Sequence, residues 1–227
     1  MKILLIAGHG NGDNGAVANG YKEAELTREI VALLKPPLSQ YADVTIFDIS
    51  KNAYKFLVNG GKFDFSTFDY VLELHLNAGV DDKNSKVTGS EIYITTSEKV
   101  YSVETAILVN LEKLGFKNRG VKRKNFTVIN TAKKAGVSSA LLELCFIDDK
   151  DDMKLYQSRK NEVVEAIANG IVSGYKLTKK AAWYDEFLEK AKEYGVTDGT
   201  RPDDSATRAE VATMIVRAIE YIKKTEV

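Results

Sequence analysis

The sequence predicts an α/β fold: a twisted, mainly parallel sheet with helices on both faces, followed by a small C-terminal helical hairpin. Three observations predict it. Short apolar runs with strand character alternate with longer stretches whose apolar residues recur at helical spacing. The first of these runs, Ile3–Ala7, ends in a Gly/Asn-rich loop, Gly8-His9-Gly10-Asn11-Gly12-Asp13-Asn14-Gly15. After Leu177 the texture changes: a polar junction leads into residues 181–227, which carry 7 Lys+Arg against 10 Asp+Glu.

Taken in order, Ile3–Ala7 reads as a buried first strand. A helix is predicted from about Lys22 to Lys35, with Leu26, Ile30, Leu33 and Leu34 on one face, ended by Pro36 and Pro37. Asp43–Asp48 reads as a second strand, and 49–68 as a loop with a short helix. Asp69–Leu76 has the composition of a buried strand, and Ser90–Thr95 is another after a loop at 79–89. A helix follows over Glu98–Leu114, strands at Phe126–Ile129 and Ser139–Cys145, and a long helix within Asp152–Tyr175. In the tail, helices near 183–194 and 207–223 flank a turn-rich connector, Gly195–Pro202. Thr207-Arg208-Ala209-Glu210 fits a capping box. The organisation expected is a main domain at 1–177, a linker at 178–182 and a second unit at 183–227.

Composition sets the limits. The 227 residues are 44% hydrophobic and 28% charged, enough apolar material for a core without disulfides. Lys+Arg and Asp+Glu both number 32, which argues against a strongly basic nucleic-acid binder and against a polyanionic disordered chain. One cysteine, Cys145, excludes an intramolecular disulfide, a multi-cysteine zinc site and an iron–sulfur cluster. No apolar run approaches the roughly 20 residues of a membrane span. The apolar run after Met1-Lys2 is too short for a usual signal peptide. The expectation is therefore no membrane segment, no signal peptide and residence in the cytoplasm.

The chemistry concentrates at few residues. Parallel strands in an open α/β sheet place their carboxyl ends on one edge, where ligands bind. His9 follows the first predicted strand and His75 ends a later one, so both fall on that edge. From placement alone, a shared site and two unrelated histidines are equally good readings. Glu23, at the start of the first predicted helix, adds a carboxylate there. Two neutral imidazoles and one carboxylate make a three-ligand set for zinc with a fourth position for water. Glu25 points elsewhere around the helix and competes with Glu23. Either is also an ordinary first-turn glutamate favoured by the helix dipole. Glu143, inside Leu141-Leu142-Glu143-Leu144-Cys145-Phe146, is costly to bury unless paired or protonated. Desolvation raises such a carboxyl towards neutrality and suits it to proton transfer; the other reading is a strand-end glutamate held by a surface Arg or Lys.

These residues carry a resemblance. Gly8-His9-Gly10, Lys22-Glu23-Ala24-Glu25-Leu26, His75-Leu76-Asn77-Ala78 and Leu142-Glu143-Leu144-Cys145-Phe146-Ile147, in that order, resemble the zinc-dependent N-acetylmuramoyl-L-alanine amidases of the Amidase_3 type. Gly89-Ser90-Glu91-Ile92-Tyr93 and Asn118-Arg119-Gly120-Val121 are similar to further segments of that family, and the resemblance spans roughly residues 2–176. It implies that His9, Glu23 and His75 hold Zn2+ and that Glu143 is the catalytic glutamate. It also implies hydrolysis of the amide between N-acetylmuramic acid and L-alanine in peptidoglycan, with Glu143 passing a proton from water to the leaving amine. Asn77 is then expected to hydrogen-bond near the site. The family's Glu-Leu-Gly-Phe is here Glu-Leu-Cys-Phe. Two positions from Glu143, Cys145 is expected on the same strand face, near the metal, or else as a buried small hydrophobe. Residues 48–68 depart from the usual Thr-Arg pattern and are short, as in phage-type members, which puts the substrate contacts of that region in doubt. Two other readings stand beside this one: a zinc peptidoglycan carboxypeptidase, and a non-catalytic wall-binding protein on an amidase scaffold.

Lys117–Lys124 holds five basic residues in eight, read either as attraction to an anionic wall or as a solvated loop. With only Phe126 nearby to stack on a base, it is not read as a nucleic-acid surface. The tail, from Trp183-Tyr184 to Thr207-Arg208-Ala209-Glu210-Val211-Ala212, resembles a single S-layer-homology motif. In that family such motifs bind secondary cell-wall polymer, usually as three copies. Wall targeting, homodimer formation and simple packing on the catalytic domain are the readings this leaves. A chain without a secretion signal fits a phage endolysin held in the host cytoplasm until a holin opens the membrane.

Overall fold

Residues Lys2–Ala7 form β1, in which Ile3, Leu4, Leu5 and Ile6 are all fully buried. A strand apolar on both faces must lie inside a sheet covered on both sides. The computed structural model, which describes residues 1–79, 87–181 and 184–225, places it so. A short ribbon, β2 (Val17–Ala18) and β3 (Tyr21–Lys22), leads into α1 (Glu23–Ser39). Then follow β4 (Asp43–Ile46), α2 (Ala53–Val58), β5 (Tyr70–Asn77), β6 (Ser90–Ile94) and α3 (Ser102–Lys113). The main unit closes with β7 (Asn118–Arg123), α4 (Thr127–Lys134), β8 (Ser138–Phe146), α5 (Lys150–Ser158) and α6 (Lys160–Tyr175). The sheet order is β4-β1-β5-β8-β6-β7. All neighbours are parallel except β6 and β8, which are antiparallel.

Strand alternation sorts the core into two layers. Ile3, Leu5, Leu72, Leu74, Ala140 and Leu142 face α1, α3 and α6 in the larger cluster. Leu4, Ile6 and Val71 face the other way, where α2 and α4 supply Ala53, Val128 and Ala132. This second layer is thin. Further along the same strand face stand Glu73, His75, Leu141 and Glu143, which line a cleft of about 300 Å³. The strand order also reverses between β1 and β5: β1 is followed by β4 on one side, and the chain then returns to place β5 on the other. Ligands bind at such a switch point, outside the carboxyl ends of the strands.

Several expectations are corrected. Pro36 and Pro37 do not end α1, which runs to Ser39, because Leu38 is fully buried and anchors the last turn. Phe126–Ile129 is not a strand. Val128, Ile129 and Ala132 lie on the buried side of α4, and the β-branched composition misled. The basic segment is an edge strand, β7, not a solvated loop; rows of cations are a common guard on exposed edges. The long helix over 152–175 is two helices, parted at Arg159, whose Nη1 donates to Leu114 O (3.0 Å). The helix expected from Glu98 starts at Ser102. Part of the loop expected at 79–89 lies outside the described residues.

The chain divides into two compact units, Met1–Lys179 and Lys180–Val227. The second consists of α7 (Asp185–Glu193) and α8 (Arg208–Thr225), with Tyr194 and Tyr221 stacked at 4.4 Å between ring centroids. The capping box is present: Glu210 N–H donates to Thr207 Oγ1 (3.2 Å) and Thr207 N–H to Glu210 Oε2 (2.7 Å). Trp183, part of the quoted tail motif, lies outside the described residues.

Candidate functional site

His9 leaves β1 with φ 60°, a left-handed conformation rare for a non-glycine residue. The fold holds it there. Arg28 of α1 reaches the carbonyl oxygens of Gly8 (3.1 Å), His9 (3.0 Å), Ala24 (2.9 Å), Ile49 (3.0 Å) and Lys51 (3.2 Å). Thr27 Oγ1 also donates to Gly8 O (2.9 Å). His75, on β5, lies against Gly8 so closely that a Cβ on that glycine would enter the imidazole ring. The two rings meet edge-on with centroids 4.9 Å apart.

Glu23, at the first turn of α1, stands between them and is 3% exposed. Its Oε1 lies 2.8 Å from His75 Nδ1 and accepts from Leu76 N–H (3.0 Å). Its Oε2 lies 3.0 Å from His9 Nε2 and accepts from Ala16 N–H (3.0 Å). Gly15, at φ +64°, makes room: a Cβ there would come within 2.6 Å of Glu23 Oε2. One ligand atom from each of His9, Glu23 and His75 lies within 4.8 Å of the others. Two imidazoles and a carboxylate at one point are the donor set of a borderline divalent metal, so the residues present fit zinc.

The charges agree with that geometry. Burial opposes ionisation of Glu23, yet hydrogen bonds from His75 and His9 hold its carboxyl far below the usual range. Burial disfavours a charged His75, but Glu23 and Glu73 outweigh it and push the imidazole well up. His9 is raised too, chiefly by Glu23. Both imidazoles already face negative charge, as metal ligands do.

Glu143 is different. Among the described residues it pairs with no cation, and its Oε2 is buried with no hydrogen-bond partner. Burial raises its carboxyl to about 7, with Glu23, Glu91 and Glu73 adding to the effect and His75 opposing it. A carboxyl near neutrality at the wall of a cleft can accept or give a proton.

The structure brings His9, Glu23 and His75 together, and Glu143 lines the same cleft as the two histidines. Glu25 is exposed and pairs with Lys22 at 2.8 Å, so the competition with Glu23 ends there. Cys145 does not share a face with Glu143. The β5–β8 register shifts after His75↔Glu143 to Asn77↔Phe146, and this irregularity turns Cys145 into the larger core cluster, fully buried. Asn77 Nδ2 donates to Glu91 Oε1 (3.0 Å), and Glu91 also takes Arg119 Nε (2.6 Å) and Lys122 Nζ. Part of the basic segment is therefore neutralised locally. Sequence reasoning missed Asp13, Arg28, Asn52 and Glu73. Glu73 had a signal: it is a carboxylate in an apolar strand, as Glu143 is.

Comparison with known proteins gives the same direction. The family model described as N-acetylmuramoyl-L-alanine amidase matches residues 3–173. An endolysin of Bacillus phage SPP1 is 28% identical over 187 residues, 79% of this chain and 68% of that protein. The N-acetylmuramoyl-L-alanine amidase CwlM of Bacillus licheniformis is 29% identical over 195 residues, 80% of this chain and 72% of its own. The catalytic domain of CwlV from Bacillus (Paenibacillus) polymyxa var. colistinus superposes with a TM-score of 0.62 at 20% identity, covering 78% of this chain and 99% of that domain; this likeness is one of fold.

Proposed function

The chain belongs to the N-acetylmuramoyl-L-alanine amidase family, and from that premise we propose that it hydrolyses the amide between the lactyl group of N-acetylmuramic acid and L-alanine in peptidoglycan. One observation carries the reading: His9, Glu23 and His75 converge on one point, and the unpaired carboxyl of Glu143 lines the same cleft. His9, Glu23 and His75 would hold the zinc ion. Zinc bound there supplies Lewis-acid chemistry, polarising a carbonyl and acidifying water.

The side chains supply the rest. Glu143 takes the proton from the attacking water, is neutral while the tetrahedral centre stands, and returns the proton to the leaving amine of L-alanine. Its carboxyl, raised to about 7, suits both steps. Leu141 and Val128 line the same cleft as Glu143. With both histidines committed to Glu23, neither is free to serve as the base of a serine or cysteine nucleophile.

The phage lysis role rests on the endolysin relative and is part of this proposal. No helix among the described residues is long and apolar enough to cross a membrane. The unit at 183–227 is assigned to wall targeting through a secondary wall polymer, with self-association as the second reading. The deciding experiment is digestion of purified Gram-positive peptidoglycan with and without chelator, read by mass spectrometry. Chelator-sensitive release of L-alanine amino termini from intact glycan is expected. Release of a C-terminal amino acid instead would make the protein a carboxypeptidase. No release by zinc-replete protein across several wall types would make it a binding module.

A further inference from the structure

Each imidazole of the metal centre has one nitrogen turned to Glu23 and the other turned to a second carboxylate. His9 points Nε2 inward, and its Nδ1 lies 3.2 Å from Asp13 Oδ2. His75 points Nδ1 inward, and its Nε2 lies 3.3 Å from Glu73 Oε1. Resting on the metal-site reading above, we propose that Asp13 and Glu73 are positioning residues. They fix the two imidazoles in opposite tautomers, so that His9 offers Nε2 and His75 offers Nδ1 to the metal.

Glu73 is the stronger half of the case. It is 4% exposed on a strand face whose neighbour two residues back is the apolar Val71. A buried carboxylate is costly without a partner. Among the described residues, His75 is the polar partner the structure gives it. Nothing in the packing of β5 asks for a glutamate there, whereas a ligand histidine gains from one: a carboxylate behind the ring fixes its orientation and raises its basicity as a donor. Asp13 does the same from a loop that is itself held, since Asp13 accepts from Gly15 N–H (3.0 Å) and from Asn52 Nδ2 (3.1 Å). The two devices differ in burial: Asp13 is partly exposed and Glu73 is enclosed. Glu73 is therefore the position where loss of the acceptor is least replaced by water.

The test uses the full chain with zinc as the probe. Zinc affinity is measured by chelator competition for wild type, Glu73→Gln and Glu73→Leu, and imidazole tautomers are read from long-range proton–nitrogen spectra of the isotope-labelled, zinc-loaded protein. Glu73→Leu is expected to weaken zinc binding by about 10–100-fold, the usual effect of removing such a partner. Glu73→Gln, which keeps an acceptor oxygen, is expected to recover most of that loss. In wild type, His9 should carry its proton on Nδ1 and His75 on Nε2. Thermal melts of the metal-free variants guard against misfolding, and the spectra of wild type alone test the tautomers without any variant. The inference is overturned by the reverse tautomers, by unchanged affinity in Glu73→Leu, or by a Gln variant as defective as Glu23→Ala, which would make Glu73 a ligand itself. Failure of the metal reading is separate: wild type would then bind no zinc at all.

Discussion

His75 and Glu143 are direct partners in the parallel register between β5 and β8. They sit on the two central strands, on the same face, one imidazole tied to Glu23 and one carboxyl whose Oε2 has no hydrogen-bond partner among the described residues. This pairing puts the proposed proton carrier one strand from a proposed metal ligand without any loop between them. Sheet positions are among the most rigid in a fold, which is where a catalytic constellation is best mounted.

Glu143→Gln is expected to retain zinc and lose about 10²–10⁴ of the turnover rate, because an amide cannot take the water proton. The same variant makes a stability prediction of known sign. The folded carboxyl titrates at about 7, above its ordinary 4.5, so the folded state binds the proton more tightly than the unfolded state. The stability that protonation brings is complete below about pH 4.5 and is lost as pH rises through about 7. At about pH 8 the charged, buried carboxylate therefore costs on the order of 3 kcal/mol, which glutamine avoids. Metal-free Glu143→Gln should melt several degrees above wild type at pH ~8 and show no such gain at pH ~4. Equal melting at both pH values would mean that Glu143 is solvated, and full activity would remove it from the reaction.

Glu23→Ala is expected to abolish stoichiometric zinc binding, as is His75→Ala, whereas Glu25→Ala should bind as wild type does. Zinc content by elemental analysis after dialysis decides it. Because both imidazoles are raised above their ordinary value in the metal-free protein, zinc must displace protons from them. Apparent affinity should therefore rise with pH across and above the ordinary histidine range. A pH-independent affinity would mean that the histidines are not ligands.

Gly8→Ala tests the close approach of β1 to His75. The added Cβ would fall on the imidazole ring, while the backbone at Gly8 is not in the left-handed region and accepts alanine. The ring must shift, so zinc affinity should drop by about 5–150-fold, the effect of roughly 1–3 kcal/mol of local overpacking. Gly12→Ala is the control. Its φ of +80° makes alanine strained, but nothing lies within 4 Å of the added Cβ. It should cost about 1 kcal/mol of stability and leave zinc binding unchanged. Equal effects of the two variants on zinc would show that loop strain, not ring contact, is what matters.

Much of this site was legible because its chemistry is rare in the sequence. Two histidines and a glutamate buried in an apolar strand leave few places to look, and alternation along β5 and β8 places His75 and Glu143 on one face. What was not legible depends on events that composition does not encode. The register shift after Glu143 turned Cys145 into the core. Phe126–Ile129 has strand-like residues but forms the start of α4, because Val128, Ile129 and Ala132 bury one side of a helix against β8. Arg28 looks like any basic residue on an amphipathic helix until its five carbonyl partners are seen. Glu73, a buried carboxylate in the apolar strand Tyr70–Asn77, carries the same sequence signal as Glu143.

Truncation after Lys179 tests the division of labour between the two units. Every buried side chain among the described residues belongs to Met1–Lys179, and neither α7 nor α8 buries one. The first unit holds both core clusters and all four proposed site residues. It should therefore fold alone, bind zinc with wild-type affinity and cleave soluble muropeptides at the wild-type rate. Val211, Ile215, Ile219 and Ile222 of α8 are exposed, so the second unit has apolar surface to offer and little core of its own. If it targets the wall, the truncated chain should fail to sediment with purified walls and lose activity on intact peptidoglycan only. If it mediates self-association, sedimentation velocity of the full chain should depend on concentration and that of the truncated chain should not. Loss of turnover on the soluble substrate would sink the division itself, because a unit without buried side chains would then be contributing to a site built wholly from the other.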